Sequence, residues 1–462
     1  MSLLGKSLTQ LLELLKQKKI SGKEVYDYFL TRSKKYNPLL NSYVTFSPKS
    51  WESTRGNLLS IPIAFKDNFC TKDLKTTASS KVLENFIPPY DATVVKKIKL
   101  SGGLILGKTN MDAWAHGSST ETSDFGPTKN PWDVSRVPGG SSGGSTAAVA
   151  AYLTPVAIGS ETAGSIRQPA AWSGVVGVKP TYGRVSRYGV IAMGSSLDCP
   201  GPITSSVQDS ALLLQVIAGK DKYDATTAPN EVPDYLKSLK KRKKLTIGVS
   251  NSYFEGVENE VKSKVQESIK ILEKMGHRVK KIELMSPKYA ISIYTIIQRA
   301  EVSSNLARYD GIRYGNERSH FGEEAKRRIM LGTYTLSHGY YDAFYKKAQK
   351  VRTLVIEDYK QAFKEVDVIV SPTTPTTALK IGEFEKYPFF GEIMDMLNEP
   401  AAIAGIPAIN IPVGLDKKKL PVGMQIMGNY FQEEEILNLA HYFELETDFF
   451  GVTRQILSKY PD

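Results

Sequence analysis

Two clusters of small residues lie a few positions apart in this chain: PGGSSGGSTAAVAA over 138–151 and GSETAGSIRQPA over 159–170. Each holds a serine, Ser141 or Ser165, among glycines and alanines. A serine hydroxyl is a weak nucleophile until a base lies within hydrogen-bond reach. Only five histidines could supply that base, namely His116, His277, His320, His338 and His441. His277 opens an expected strand, His320 lies in a polar loop and His441 in a late helix, and none stands in a G-x-S-x-G elbow. His116, in AHGSST, reads as pocket-lining. A lysine whose pKa is lowered by burial is the alternative base. Lys66 follows the apolar run IPIAF (61–65), so its stem emerges from the core at a strand end; taken alone, it reads equally well as a surface lysine. The small residues let backbone amides approach a ligand closely. Thr162, Ala163, Gly164 and Ser165 could aim theirs at a developing oxyanion, with Ser141 relaying a proton between Lys66 and Ser165. The bland alternative is an anion-binding glycine loop opening a helix, since STAAVAAYL follows.

A rival motif points to other chemistry. GGLILGKT, Gly102 to Thr109, matches the phosphate-cradling pattern G-x-x-x-x-G-K-[ST]. That pattern needs a strand before the loop. Here a helical pattern precedes it, and GLIL is itself the best local strand, which places Lys108 at a strand end. The nucleotide-binding reading is kept as an alternative.

The elements that must position these residues alternate. IPIAF (61–65), LILG (104–107) and TPVAIG (154–159) read as strands, and 91–100 as a helix capped by Asp91. LTIGVS (245–250), a helical pattern over 257–275 and HRVKKIEL (277–284) form a strand–helix–strand unit. DVIVSP (367–372), AINIPV (408–413) and VGMQIMG (422–428) add late strands, while 287–308 and 323–366 read as mainly helical. At the N-terminus, Leu8, Leu11, Leu12 and Leu15 recur at helical spacing. Ser21 and Glu24 form a capping box, so 7–36 reads as two helices of the folded protein with no presequence. This alternation implies an α/β protein with a large sheet covered by helices.

The bulk composition narrows the class. The 462 residues are 41% hydrophobic and include two cysteines, Cys70 and Cys199. That is ample for a core, fits a reducing compartment, and argues against a disulfide framework or a zinc site. No apolar run is long enough for a membrane span. The net charge of +12 is densest at KSLKKRKK, Lys237 to Lys244, which reads as a solvated surface run rather than a nucleic-acid patch.

IPIAFKDN, PGGSSGGSTAAVAA and GSETAGSIRQPA, in that order, resemble the amidase signature family. The resemblance implies a single domain over 1–462 built on a large mixed β-sheet covered by helices on both faces, with a catalytic region at 60–205. It also implies a Ser–cis-Ser–Lys triad: Ser165 as acyl-forming nucleophile, Ser141 as bridging serine on a cis peptide bond, and Lys66 as base. The stretches 174–190, 195–204, 303–315 and 327–355 are similar to the A-subunit family of glutamyl-tRNA(Gln) amidotransferases. That likeness implies glutamine as substrate, with Arg328 gripping its α-carboxylate, Asp395 receiving its α-amino group and Tyr294 nearby. It implies a partner B subunit that binds tRNA and uses ATP and magnesium to turn Glu-tRNA(Gln) into Gln-tRNA(Gln) with the released ammonia. No cofactor is expected in this chain, and a small third subunit is an open question. A stand-alone amidase of the same superfamily is the nearest rival. Two departures stand out: Ala163 occupies a usual glycine of the nucleophile loop, and His116 a usual methionine of the pocket. Shortened segments before Lys66 and between Gly315 and Gly322, with the lysine-rich composition, resemble a fungal mitochondrial version. The expected location is the mitochondrial matrix, with a bacterial cytoplasm as the alternative.

Overall fold

Apolar runs too short for helices and rich in β-branched residues become the strands of one sheet. The structure, a computed structural model, describes residues 2–48, 51–312, 315–386 and 390–462. Its strands are β1 (Tyr43–Phe46), β2 (Pro62–Lys66), β3 (Leu104–Thr109), β4 (Val156–Glu161), β5 (Val176–Lys179), β6 (Cys199–Thr204), β7 (Thr246–Val249), β8 (Arg278–Lys281), β9 (Val368–Pro372), β10 (Ala408–Leu415) and β11 (Pro421–Gly428). They form a single 11-stranded sheet in the order β1-β3-β2-β4-β6-β5-β10-β11-β9-β7-β8. β3, β2 and β4 run parallel, as do β9, β7 and β8, and antiparallel pairs join the two blocks. Every residue of β2, β4, β6, β9 and β11 is buried. Since successive side chains point to opposite faces, both faces of the sheet are covered. The expected mixed α/β fold is the one observed.

Most expected elements fall where the periodicity placed them. The strand–helix–strand unit is β7, the helix Asn259–Lys274 and β8, with the strands parallel. The late strands are β9, β10 and β11. The region 287–366 contains the helices Lys288–Leu306, Glu323–Thr335 and Lys347–Ala362, with a π-helical turn at Tyr341–Lys346. Residues Arg313 and Tyr314, within the 303–315 stretch, lie outside the described residues. The basic run at Lys237–Lys244 is largely exposed, and Lys243 pairs with Glu435 at 2.7 Å.

Three strands escape the periodicity. β6 is CPGPIT, whose two prolines and a glycine read as a turn. β1 and β5 are only four residues long. Asp91 does not cap a helix, as a correction: the helix begins at Thr93 with Ala92 before it and no side-chain cap. Asp91 instead accepts the Lys72 amide and pairs with Lys99, both at 2.8 Å, because its carboxylate bonds a lysine more strongly than an amide of the next turn. The Gly102–Thr109 run is the strand β3 rather than a phosphate loop. Lys108 is fully buried, and its ammonium donates to the Phe69 carbonyl and, at 3.0 and 3.3 Å, to Thr76 and Thr71.

The N-terminal helices, Leu8–Lys16 and Gly22–Leu40, both start with complete capping boxes, Ser7/Gln10 and Ser21/Glu24. The second helix carries Arg32, almost fully buried. Arg32 Nε donates to the Tyr152 carbonyl at 3.1 Å, and its terminal nitrogens donate to the carbonyls of Ala151, Tyr460 and Pro461 at 3.3, 2.9 and 3.2 Å. One guanidinium thus ties the N-terminal helices to the C-terminus. Arg32→Met is expected to cost at least about 3 kcal/mol, since it strands several carbonyls that a charged donor now satisfies; chemical denaturation of the two proteins measures the difference.

Candidate active site

Lys66 is the last residue of β2, and the strand's neighbours on both sides run parallel to it. Their C-terminal ends therefore open toward one place, where open α/β sheets commonly hold ligands. The Lys66 side chain has no solvent exposure. Its Nζ donates to Ser141 Oγ at 2.7 Å and to the Ser160 carbonyl at 3.0 Å. Burial lowers its pKa to about 7, against the opposing pull of Asp112, Asp198 and Glu161. Such a lysine exchanges its proton near neutral pH, as a general base requires. The histidines compete poorly. His277 Nδ1 accepts the Leu245 amide at 3.2 Å, and His320 and His338 are exposed.

Ser141 follows a cis Gly140–Ser141 peptide bond and leads into the helix Gly143–Ala150. The next residue joins the two small-residue clusters: the Ser142 amide donates to the Ser165 carbonyl at 3.1 Å, and its hydroxyl donates to the Ser160 carbonyl at 3.2 Å. Ser165 is buried, and its hydroxyl has no hydrogen-bond partner among the described residues.

The Ser165 loop is held from below by an ion pair. Glu161, the last residue of β4, accepts the amides of Ile166 and Arg167 at 3.1 Å each and Arg167 Nε at 2.9 Å. A second Arg167 nitrogen bonds the same carboxylate. That guanidinium also donates to the carbonyls of Ala163 and Asn398 at 2.9 Å and to Gln425 Oε1 at 2.6 Å. Both side chains are fully buried. Between these anchors, the amides of Thr162, Ala163, Gly164 and Ser165 donate to no acceptor among the described residues, although all four residues are buried. Successive amides left without acceptors are donors available to an anion.

The alanine at 163 needs no left-handed backbone; only Gly164 is sterically required, because a methyl there would run into the Asp395 carboxylate. Asp395 ends the helix Phe390–Asp395. Its Oδ2 accepts from Ser118 Oγ at 2.7 Å, while Oδ1 has no partner among the described residues. Burial pushes its pKa well above the usual carboxylate range. Tyr294, on the helix Lys288–Leu306, shares a hydrogen bond of 3.1 Å with Thr162 Oγ1. Arg328, on the helix Glu323–Thr335, is buried and donates to Glu324 Oε1 at 2.6 Å. His116 is buried with both ring nitrogens unpartnered among the described residues. Burial first, and then Arg328, hold it well below the usual imidazole range, hence neutral. Arg328 also acts on the buried Tyr294 hydroxyl. The fold thus gathers all ten candidate residues: the relay and the loop amides on the sheet ends, Asp395 over Gly164, and Tyr294, Arg328 and His116 on the far wall. Glu161, Arg167 and Ser118 were missed by sequence reasoning as site residues. The first two lie inside the quoted GSETAGSIRQPA stretch, where an acid and an arginine six residues apart were a readable signal.

The fold thus brings a buried lysine, two serines and a run of amides without acceptors to one end of the sheet. A family profile described as Amidase matches residues 24–437. The chain belongs to the amidase family. It is 52% identical over 466 residues to the glutamyl-tRNA(Gln) amidotransferase A subunit of Halothermothrix orenii, covering 96% of this chain and 98% of that protein. The crystal structure of the A subunit of the same name from Thermotoga maritima superposes with a TM-score of 0.87 at 40% identity, covering 97% of this chain and 96% of the other. A 6-aminohexanoate cyclic dimer hydrolase superposes with a TM-score of 0.90 at 25% identity, covering 99% and 100%.

Arg167→Met leaves Glu161 buried without its countercharge. Removing one partner of a buried pair costs about 3–5 kcal/mol, so the variant should unfold at markedly lower denaturant, whereas wild-type stability in the variant would show that the pair is dispensable.

Proposed function

We propose that the chain is the glutamine-hydrolysing subunit of a glutamyl-tRNA(Gln) amidotransferase. The single observation that carries the chemistry is the buried Lys66–Ser141 hydrogen bond of 2.7 Å beside the Ser165 loop. Neutral Lys66 takes a proton from Ser141 as Ser141 takes one from Ser165. Ser165 Oγ attacks the carboxamide carbon of glutamine. Hydrogen bonds of this kind tighten when substrate binds, which brings the free Ser165 hydroxyl onto Ser141. The negative charge on the carbonyl oxygen falls to the amides of 162–165, each such donor being worth about 3 kcal/mol. The carbon–nitrogen bond then breaks, the ammonium on Lys66 returns its proton through Ser141 to the leaving nitrogen, and ammonia departs. Water hydrolyses the γ-glutamyl ester of Ser165 by the same relay, releasing glutamate.

Substrate choice rests on opposite charges at the far wall. Arg328 suits the planar α-carboxylate, with neutral His116 beside it, and the free Oδ1 of Asp395 suits the α-ammonium. A stand-alone amidase for apolar amides would leave the buried Oδ1 of Asp395 without a partner. The ammonia goes to a B subunit, which binds tRNA and uses ATP with magnesium; this chain carries none of that step, and a small third subunit belongs to the same proposal. Among the described residues no helix is long and apolar enough to cross a membrane. The bacterial relatives support a bacterial cytoplasm over a mitochondrial matrix.

Two measurements test this reading. Ser165→Ala should abolish glutamine-dependent amidation of Glu-tRNA(Gln) by the assembled enzyme while leaving amidation fed with free ammonium intact; loss of both contradicts the division of labour. Arg328→Ala should raise KM for glutamine by about a hundredfold, since a charged hydrogen bond is worth about 1.5–3 kcal/mol. The pH dependence follows from Lys66. The base must be neutral, so kcat/KM should fall as pH drops through about 7 and level off above it. A limb set by an ordinary exposed lysine would lie far higher.

A further inference from the structure

Three buried acids pull the Lys66 pKa back up: Asp112, Asp198 and Glu161. Two are occupied elsewhere. Glu161 holds Arg167 and the loop amides of 166 and 167. Asp198 accepts the Met193 and Gly194 amides at 3.0 and 3.3 Å. Asp112, in the loop after β3, is different. It is fully buried, and its Oδ1 accepts from the Thr122 hydroxyl at 2.9 Å and the Thr122 amide at 3.4 Å; burial pushes its pKa up, while the Thr120 amide, Thr122 and Lys66 pull it back toward the charged form. Its Oδ2 has no partner among the described residues. That oxygen lies against Gly140, and the carboxylate also lies against Gly117. A methyl on either glycine would collide with it. The backbone of Asp112 reaches the same place: its amide donates to the Ser141 carbonyl at 3.3 Å.

Resting on the reading above, we infer that Asp112 is a fourth member of the proton relay, a positioning residue. It fixes the Ser141 peptide through its amide and supplies the carboxylate that balances the ammonium formed on Lys66. When Ser165 attacks, its proton passes to Ser141 Oγ, the Ser141 proton passes to Lys66 Nζ, and the electron pair of Ser165 Oγ forms the bond to carbon. A positive charge then appears on a fully buried side chain. An unpaired buried charge is costly. Among the three neighbouring acids, Asp112 has the carboxylate oxygen left free to answer it. The glycines at 140 and 117 are explained by the same contact, since they let the carboxylate close on the loop that carries Ser141.

The test is the pH profile of glutamine hydrolysis by Asp112→Asn, measured on the chain assembled with its partner subunits, with Ser165→Ala alongside. The amide keeps the shape and an acceptor for Thr122 but removes the charge. Without a negative neighbour Lys66 holds its proton less tightly, so the acid limb of kcat/KM should move down by about one unit, the low end of what an adjacent opposite charge does. The plateau above it should fall at least about tenfold, with KM for glutamine little changed. Thr122→Val, which removes a hydroxyl that favours the ionised carboxylate, should move the limb the same way by less and serves if Asp112→Asn does not fold. An unmoved or raised limb in a folded variant overturns the role of Asp112 while leaving the proposed function standing. A parent enzyme whose glutamine hydrolysis survives Ser165→Ala overturns both.

Discussion

The site depends on a lysine buried in a place where an ammonium ion is barely tolerated. Lys66 ends a strand whose every residue is buried, so the side chain has no route to water. Desolvation alone would leave it neutral, and the nearby acids pull it back toward the charged form. The balance sets its proton affinity near neutrality. A lysine on a surface loop would stay charged and could accept nothing. The sheet is therefore part of the chemistry: it excludes water from the base and keeps the acids at a fixed distance.

Topology brings the remaining parts to that lysine. β2, β3 and β4 are parallel neighbours, so Lys66, the Asp112 loop and the Glu161–Ser165 loop leave the sheet on the same edge. The two serines are then locked to one another by Ser142 and to the sheet by the Glu161–Arg167 pair. Arg167 also bonds the carbonyl of Asn398, three residues beyond Asp395. The Ser165 loop and the segment that carries Asp395 are thereby tied to one another. Preorganisation of this kind is what lets buried amides act on a developing charge without rearranging.

The far wall trades stability for binding. Arg299 with Glu392 is a buried pair at 2.6 Å, and Arg328 pairs with the half-buried Glu324. Asp395 keeps one oxygen unpartnered, and Glu399 both, among the described residues. Burial drives both acids well above the ordinary carboxylate range. Such groups weaken a fold, so their burial close to the Ser165 loop costs stability that the packing around them must offset.

How much of this was readable in the chain follows from what each feature depends on. Short apolar runs and helical patterns are local, so the sequence by itself determined most strands, the helical region after 287 and the Ser21/Glu24 capping box. The small-residue clusters are local as well, because only glycine, alanine and serine let backbones come so close. Lys66, Ser141 and Ser165 could be named from them. Strand β6 was hidden because its prolines and glycine are tolerated only by its particular antiparallel partners. Asp91 was misread because its lysine partner is contributed by packing. Arg328, Asp395 and Tyr294 came from family likeness alone, since nothing local marks a helix residue as facing a site. Tertiary structure decided the rest: that Lys108 is locked inside the core and Lys66 faces a serine, that the Asp395 carboxylate crowds Gly164, and that Asp112 lies on Ser141. The physical reason is common to all of these. Burial and through-space charge are set by residues tens to hundreds of positions away, and those distances exist only once the chain has folded.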